Sequence, residues 1–95
     1  MEGRKISDTW KKVRRGDTLV ITSPGQVYYR VVVTGVAMYL PSIGDPLTAY
    51  LKGEGLKRAL PGVGSIEEGR RIYLQWSTEQ QIRDMGMMAI QVRVV

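Results

Sequence analysis

A pair of β-branched runs separated by a short turn constrains the fold of this chain more than any other feature. Residues 18–22 form the first run, residues 27–34 form the second, and Ser23-Pro24-Gly25-Gln26 between them is typical of a chain reversal. A turn this short forces antiparallel pairing, so the sequence argues against a doubly wound parallel sheet. Gly35 predicts a bulge, after which the second strand continues over residues 36–39.

The middle of the chain predicts two helices joined by a Pro/Gly-rich turn. Asp45-Pro46 is typical of an N-cap followed by proline at the first helical position, and the helix it starts is expected to end by Pro61. Ser65-Ile66-Glu67-Glu68 has the form of a capping box that starts the second helix. One face of that helix is expected to carry Ile66, Gly69, Ile72, Tyr73 and Trp76. We expect the two aromatic residues among them to belong to the core rather than to a stacking surface.

A short third helix and a closing strand complete the predicted order. Ser77 and Gln80 are spaced to cap a segment that stops near Gly86. Over residues 90–94, two polar side chains alternate with apolar ones, as in a strand with one wet face. The order of strand, strand, helix, helix, strand predicts an α+β fold in a single domain over residues 1–95. We expect a small barrel-like sheet of mostly antiparallel strands with two to three helices packed against it.

Missing residue types restrict the chemistry. The 95 residues include no cysteine and no histidine, which excludes disulfides, thiol nucleophiles, the usual zinc sites and histidine as a general base. Neither a metal nor a cofactor is expected. No apolar run approaches the roughly 20 residues that span a bilayer, and no signal peptide opens the chain. We therefore expect a cytoplasmic protein without a membrane partner.

Positive charge is concentrated near the start of the chain, whose formal net charge is +5. The basic residues there are Arg4, Lys5, Lys11, Lys12, Arg14 and Arg15, opposed only by Glu2 and Asp8. This segment is either a solvated terminus or a patch that contacts phosphates, because a positive balance favours a polyanionic partner such as nucleic acid. Trp10 within it either anchors the segment to the core or offers a stacking face to a base.

Four stretches together carry a family resemblance. They are Met1-Glu2-Gly3-Arg4, residues 12–17, residues 54–69 with Leu60-Pro61-Gly62-Val63 and the later Tyr73, and Gly86 leading into Ala89-Ile90. Through them the sequence resembles the ASCH domain family, a branch of the PUA-like β-barrel superfamily, and in particular its small archaeal and bacterial members. The resemblance covers nearly the whole chain and implies a PUA-like barrel.

One departure from that family concerns its first motif. Family members begin with a short strand and a helix that lead into Gly-x-Lys-x-x-Glu-x-Arg, and the resemblance implies that this sequence starts inside the motif. Glu2 and Arg4 match its glutamate and arginine with the spacing to Gly16-Asp17 preserved, and no upstream residue supplies the lysine. An alternative register, with Gly3 and Lys5 on the Gly-x-Lys positions, makes that spacing too short.

The resemblance also implies a function. ASCH domains are thought to bind RNA or modified nucleosides, and some bacterial members are amidohydrolases that remove an acyl group from the exocyclic nitrogen of cytidine. The glutamate that such enzymes take from the helical region matches Glu54, which lies between two glycines. We therefore expect an RNA-binding or nucleotide-binding module with a cleft formed by Glu2, Arg4 and Glu54. Its nucleic-acid contacts would be Glu2, Arg4, Lys5, Lys11, Lys12, Arg14 and Arg15.

Two alternatives remain at this stage. One is a small amidohydrolase acting on N4-acylcytidine, or a weak ribonuclease, with Glu54 and Lys5 as catalytic residues. The other is a shortened ASCH relative that acts through protein contacts, with dimerisation covering the gap left by the missing strand and helix. Tyr28 and Tyr29 are the predicted stacking candidates, because neighbouring residues of a strand face opposite sides and one of them should be exposed.

Overall fold

A computed structural model describes residues 2–22 and 28–95, including the backbone but not the side chains of Tyr28 and Tyr29. Its strands are β1 (Glu2–Lys5), β2 (Thr18–Thr22), β3 (Tyr28–Tyr39) and β4 (Met87–Val94). Its α-helices are α1 (Pro46–Glu54), α2 (Leu56–Ala59), α3 (Ile66–Tyr73) and α4 (Glu79–Met85). The strands form one antiparallel sheet in the order β1-β4-β3-β2, which curls into a half-barrel. The predicted α+β class is confirmed.

The predicted hairpin is present. Strands β2 and β3 pair antiparallel, with Thr18 opposite Val32 and Thr22 opposite the backbone of Tyr28. The pairing of β3 with β4 shifts between Val33 and Gly35, so the predicted bulge at the glycine is confirmed. The reversal at residues 23–26 and the predicted stacking side chains of Tyr28 and Tyr29 lie outside the described part of the chain.

Strand β1 is absent from the predicted order of elements, which treated the first residues only as a charged segment. It pairs antiparallel with β4, with Glu2 opposite Ile90 and Lys5 opposite Met87. Hydrophobic alternation is absent here, because three of the four residues are charged. The strand is held through its backbone instead. The chain therefore runs strand, strand, strand, helices, strand.

Strand β4 lies in the middle of the sheet and is buried on both faces at its start. Met87 and Ala89 pack under the helices, whereas Met88 and Ile90 pack on the opposite face. The predicted alternation with one wet face is therefore wrong, because burial decreases along the strand, from four buried residues to half-buried Gln91 and Val92 and then to exposed Arg93 and Val94. The reason is that residues 6–13 cover the face away from the helices, with Trp10 packed on the core there.

The first predicted helix is divided in two at Gly55. This residue has a φ of 89°, a left-handed conformation that ends α1 after Glu54 and lets α2 begin at a new angle. At the other end of α1, the Asp45 side chain accepts from the Thr48 backbone amide at 3.2 Å, so the predicted N-cap is confirmed. The Arg70 guanidinium of α3 donates to Asp45 and to the Thr48 hydroxyl, each at 2.8 Å, and pairs with Glu79 of α4.

Helix α3 begins as predicted and ends earlier. Ser65 caps it by accepting from the Glu68 backbone amide at 3.1 Å. The helix stops at Tyr73, so Trp76 lies beyond it and is 75% exposed. The prediction that Trp76 belongs to the core is therefore wrong.

Helix α4 is present, although its cap is one residue later than predicted. Thr78 and Gln81 form the capping box, and the helix ends at Gly86. In the part of the chain that the structure describes, no helix has the length and apolarity needed to cross a membrane.

Candidate functional site

A cavity of about 520 Å³ opens along the outer edge of β1. All four residues of β1 line one side of it, and Leu60, Ile72, Tyr73 and Trp76 line the other. Successive residues of a strand point to opposite faces, so a cavity that touches all of them lies along the edge of the strand rather than over one face. The cavity is thus bounded on one side by a polar strand edge and on the other by a mostly apolar wall, which α3 and the residues that follow α2 and α3 form.

Two oppositely charged side chains stand at the strand side of this cavity. The Arg4 guanidinium pairs with the Glu2 carboxylate at 2.8 Å and lies over the Trp10 ring, 5.2 Å from its centroid. Register places Glu2 and Arg4 on the same face as Ile90 and Met88, away from the helices. The ion pair is part-exposed, so it can exchange partners with a ligand at modest cost.

A row of small residues crosses the sheet beneath α1. Gly3, Ala89 and Ala37 lie side by side on three neighbouring strands. The fully buried Tyr50 uses this space, and its Oη lies 2.8 Å from the Oη of Tyr73. A Cβ atom on Gly3 would collide with both hydroxyls and would lie 2.7 Å from Tyr50 Cζ. A glycine is therefore needed in β1 at the point where the tyrosine pair touches it.

The tyrosine pair is held in its neutral form. Burial raises the pKa of both Tyr50 and Tyr73. The hydrogen bond between them raises the pKa of Tyr50 further. Since Tyr73 lines the cavity, it presents an un-ionised hydroxyl group beside β1.

Glu54 has a partner that the sequence did not indicate. Its Oε2 accepts a hydrogen bond of 2.5 Å from the Tyr39 hydroxyl. Burial, and then the hydrogen bond to Glu54 and the negative charge of that carboxylate, raise the pKa of Tyr39 to about 12. Gly53 permits the approach, because a Cβ atom there would lie 2.9 Å from Tyr39 Cε1. The two glycines around Glu54 are thus needed for different reasons. Gly53 lets the Tyr39 ring approach α1, and Gly55 ends that helix.

The structure brings some of the predicted cleft residues together and separates another. Glu2, Arg4 and Lys5 line the cavity, and Glu54 is not among the described residues that do so. Tyr39 and Tyr50 lie between Glu54 and the residues that line the cavity. Their ring centroids are 6.0 Å apart in an edge-to-face contact. The cavity residues that sequence reasoning missed are Tyr73, as a hydroxyl donor, and the exposed Trp76. No local pattern marks them, because the Tyr50–Tyr73 contact joins residues 23 positions apart.

The other basic residues predicted to contact nucleic acid belong to residues 11–15, in the segment that covers the sheet face away from the helices. Lys11, Lys12, Arg14 and Arg15 are exposed, and Lys11 pairs with Asp8 at 2.9 Å. Arg14 and Arg15 border a second, shallower cavity of about 460 Å³ beside the bulge at Gly35. Their local turn is fixed by the Asp17 carboxylate, which accepts from the Arg14 backbone amide at 2.8 Å. Among the described residues, no cluster of three or more carboxylates could hold a metal ion.

Comparison with known proteins gives two structural relatives. No family model matches the chain, and no curated protein matches it. The crystal structure of hypothetical protein PH0355 superposes with a TM-score of 0.83 and 30% identity, over 98% of this chain and 79% of the other. The solution structure of protein PF0455 from Pyrococcus furiosus gives a TM-score of 0.76 and 31% identity, over 99% of this chain and 78% of the other.

Proposed function

We propose that this chain is an RNA-binding or nucleotide-binding module that holds a base in the cavity beside β1. The premise is that the chain belongs to the same family as two proteins, hypothetical protein PH0355 and the Pyrococcus furiosus protein PF0455. We further propose that this family is a branch of the ASCH domains. The half-barrel sheet and the position of Glu2 and Arg4 at the edge of a cavity support that assignment. The observation that carries the proposal is the exposed Trp76 ring in the lining of the same cavity as Glu2 and Arg4.

The cavity has the size and the chemistry that a nucleobase requires. Its volume of about 520 Å³ falls within the common range for small-molecule sites, roughly 300–1,000 Å³. Trp76, 75% exposed, offers a flat aromatic face on which any base can stack. The Glu2 carboxylate accepts hydrogen bonds, the Arg4 guanidinium donates them, and the Tyr73 hydroxyl does both. Bases splayed out of single-stranded RNA are recognised by this combination of stacking and edge contacts.

The basic segment supports a longer polyanionic ligand. Lys12, Arg14 and Arg15 are exposed and project from the segment that Trp10 anchors to the core. Arg4 lies over that same indole, so the charge of the segment continues to the cavity. A single strand bound in the cavity would therefore find cations for its neighbouring phosphates.

The position of Glu54 favours binding over hydrolysis. An amidohydrolase or ribonuclease using Glu54 and Lys5 needs both side chains at one ligand. Lys5 lines the cavity, whereas the Glu54 carboxylate is engaged by Tyr39 on the far side of the tyrosine rings. The groups at the cavity itself can bind and orient a base.

The test is a titration of the chain with short single-stranded RNA at low and moderate salt. We expect Trp76→Ala to weaken binding by about 5- to 150-fold, which corresponds to the loss of one stacked base, roughly 1–3 kcal/mol. With about four phosphate contacts, the slope of log affinity against log salt should be roughly −3. Arg71→Ala is the matched control, since it removes one exposed charge from α3 outside the cavity.

Two results would overturn the proposal. One is undetectable binding at the lowest salt, and the other is equal affinity for the Trp76→Ala and Arg71→Ala variants. Incubation with N4-acetylcytidine in the same experiment separates binding from hydrolysis. Release of acetate that is lost in a Glu54→Gln variant would assign the enzymatic function instead.

A further inference from the structure

We propose that β1 pairs antiparallel with β1 of a second copy of this chain, centred on Gly3, and that the protein is a twofold dimer through this edge. The inference does not rest on the proposed function. One edge of β1 is bonded to β4, and no strand in the described part of the chain occupies the other. Backbone groups along such an edge are a template for another strand. The Gly3 carbonyl accepts from the Arg4 guanidinium at 2.8 Å and the Lys5 carbonyl from the Ser7 backbone amide at 2.9 Å, so pairing at Gly3 requires Arg4 to exchange this bond for the cross-strand one.

The charge pattern of β1 is complementary to itself in one orientation only. Antiparallel pairing centred on Gly3 sets Glu2 opposite Arg4 of the second copy, and Arg4 opposite its Glu2. Parallel pairing in register would set each charge opposite its own kind, which destabilises a sheet. The intramolecular Glu2–Arg4 pair of 2.8 Å shows that both groups already lie on one face within reach of each other. Dimerisation would convert this pair into two cross-strand pairs.

Gly3 at the centre adds no obstacle to the approach of the second strand. On the helical face, the hydroxyls of Tyr50 and Tyr73 fill the space beside it. On the other face, Glu2 and Arg4 favour the antiparallel orientation of the second strand. A twofold axis through this position therefore joins two four-residue strands at their least bulky point.

Apolar surface at the same edge supplies the burial that a short strand lacks. The axis would place the helices of both copies on one side of a continuous eight-stranded sheet. Each copy brings the exposed Trp76 and the apolar wall of its cavity to the join. Exposed apolar surface beside an unpaired strand edge is typical of an interface. The second strand would lie in the part of the cavity beside β1, so RNA and a second copy would compete for this edge.

The test is the molar mass of the full chain without RNA, measured by light scattering across concentration. We expect twice the 10.7 kDa of the chain. Glu2→Arg and Arg4→Glu should each be monomeric alone, because like charges then oppose each other. An equal mixture of the two variants should form a heterodimer, since every pair is then opposite in sign. Recovery on mixing is not explained by any effect within one chain.

A matched control and a charge-independent measurement complete the design. Glu67→Arg and Arg71→Glu alter an exposed pair within α3 and should leave the dimer unchanged. The chain has no cysteine, so Glu2→Cys and Arg4→Cys can be mixed and oxidised. Opposed residues of antiparallel strands lie about 4.5–5.5 Å apart, within disulfide range. The mixture should cross-link several-fold faster than either variant alone. A monomer at all concentrations, or equal cross-linking in all three samples, would overturn the proposal.

Discussion

The two faces of the sheet are packed by different chemistry, although both are organised by the same strand. On the helical face, Met87 and Ala89 lie beneath tyrosines whose hydroxyls are hydrogen-bonded to each other or to Glu54. On the opposite face, Met88 and Ile90 are covered by aliphatic side chains and one indole, with the charges turned outward. The predicted cleft of Glu2, Arg4 and Glu54 is only partly assembled, because its residues belong to different faces. Glu2 and Arg4 lie on the second face by register, whereas Glu54 belongs to the first.

The largest expected effect comes from removing the indole that covers the second face. Trp10→Ala should lower the free energy of unfolding by about 3 kcal/mol, because it opens the core around Val33 and Met88. Trp76→Ala should change it by less than about 0.5 kcal/mol, since that ring is mostly exposed. Urea unfolding of both variants measures the difference. Equal destabilisation by the two would contradict the packing described for Trp10.

The next effect tests the close packing of the first face. Gly3→Ala should cost about 2 kcal/mol of stability, because its methyl group would collide with the Tyr50 and Tyr73 hydroxyls. Gly64→Ala is the matched control. Its added carbon would meet only a Glu68 carboxylate oxygen at 3.9 Å. Denaturant midpoints of the two variants should therefore differ clearly, and coincident midpoints would show that the tyrosine pair can move aside.

The smallest effect is the contribution of the Tyr39–Glu54 hydrogen bond, about 1 kcal/mol near neutral pH. The folded pKa of Tyr39 is about 12, above the unfolded value of about 10. The stability that its neutral hydroxyl contributes is thus complete below pH 10 and is lost as pH rises towards 12. Tyr39→Phe should be less stable than the unaltered chain at pH 8, and the difference should shrink between pH 10 and 12. Unfolding measured across that range checks the prediction, which a constant difference would contradict.

Local signals predicted much of the fold. The hairpin follows from a short turn between β-branched runs, and the ends of the helices follow from Asp45, Ser65 and Gly86. Each of these depends on interactions within a few residues along the chain. Strand β1 was missed because an edge strand held by its backbone needs no hydrophobic alternation. The division of the first helix was missed because Gly55 could equally have continued it at modest cost.

The candidate site shows the same division more sharply. Glu2, Arg4 and Lys5 were identified from the sequence and line one cavity, while Trp76 was assigned to the core and stands exposed at its wall. Helical periodicity placed Trp76 on the buried face, but the helix ends three residues before it. The helical spacing of apolar residues thus continues in the sequence beyond the last residue of α3.

The sequence by itself determined the antiparallel class, the capped helices, the absence of cysteine and histidine chemistry, and the concentration of positive charge in the first fifteen residues. Only the tertiary structure decided that Glu54 binds Tyr39 and that Gly3 admits two hydroxyls. Turns and caps are fixed by neighbouring residues, so their information lies in short stretches. The partners of a carboxylate or a glycine are fixed by which strands pair and in what register. That register depends on burial over the whole sheet, which no short stretch contains.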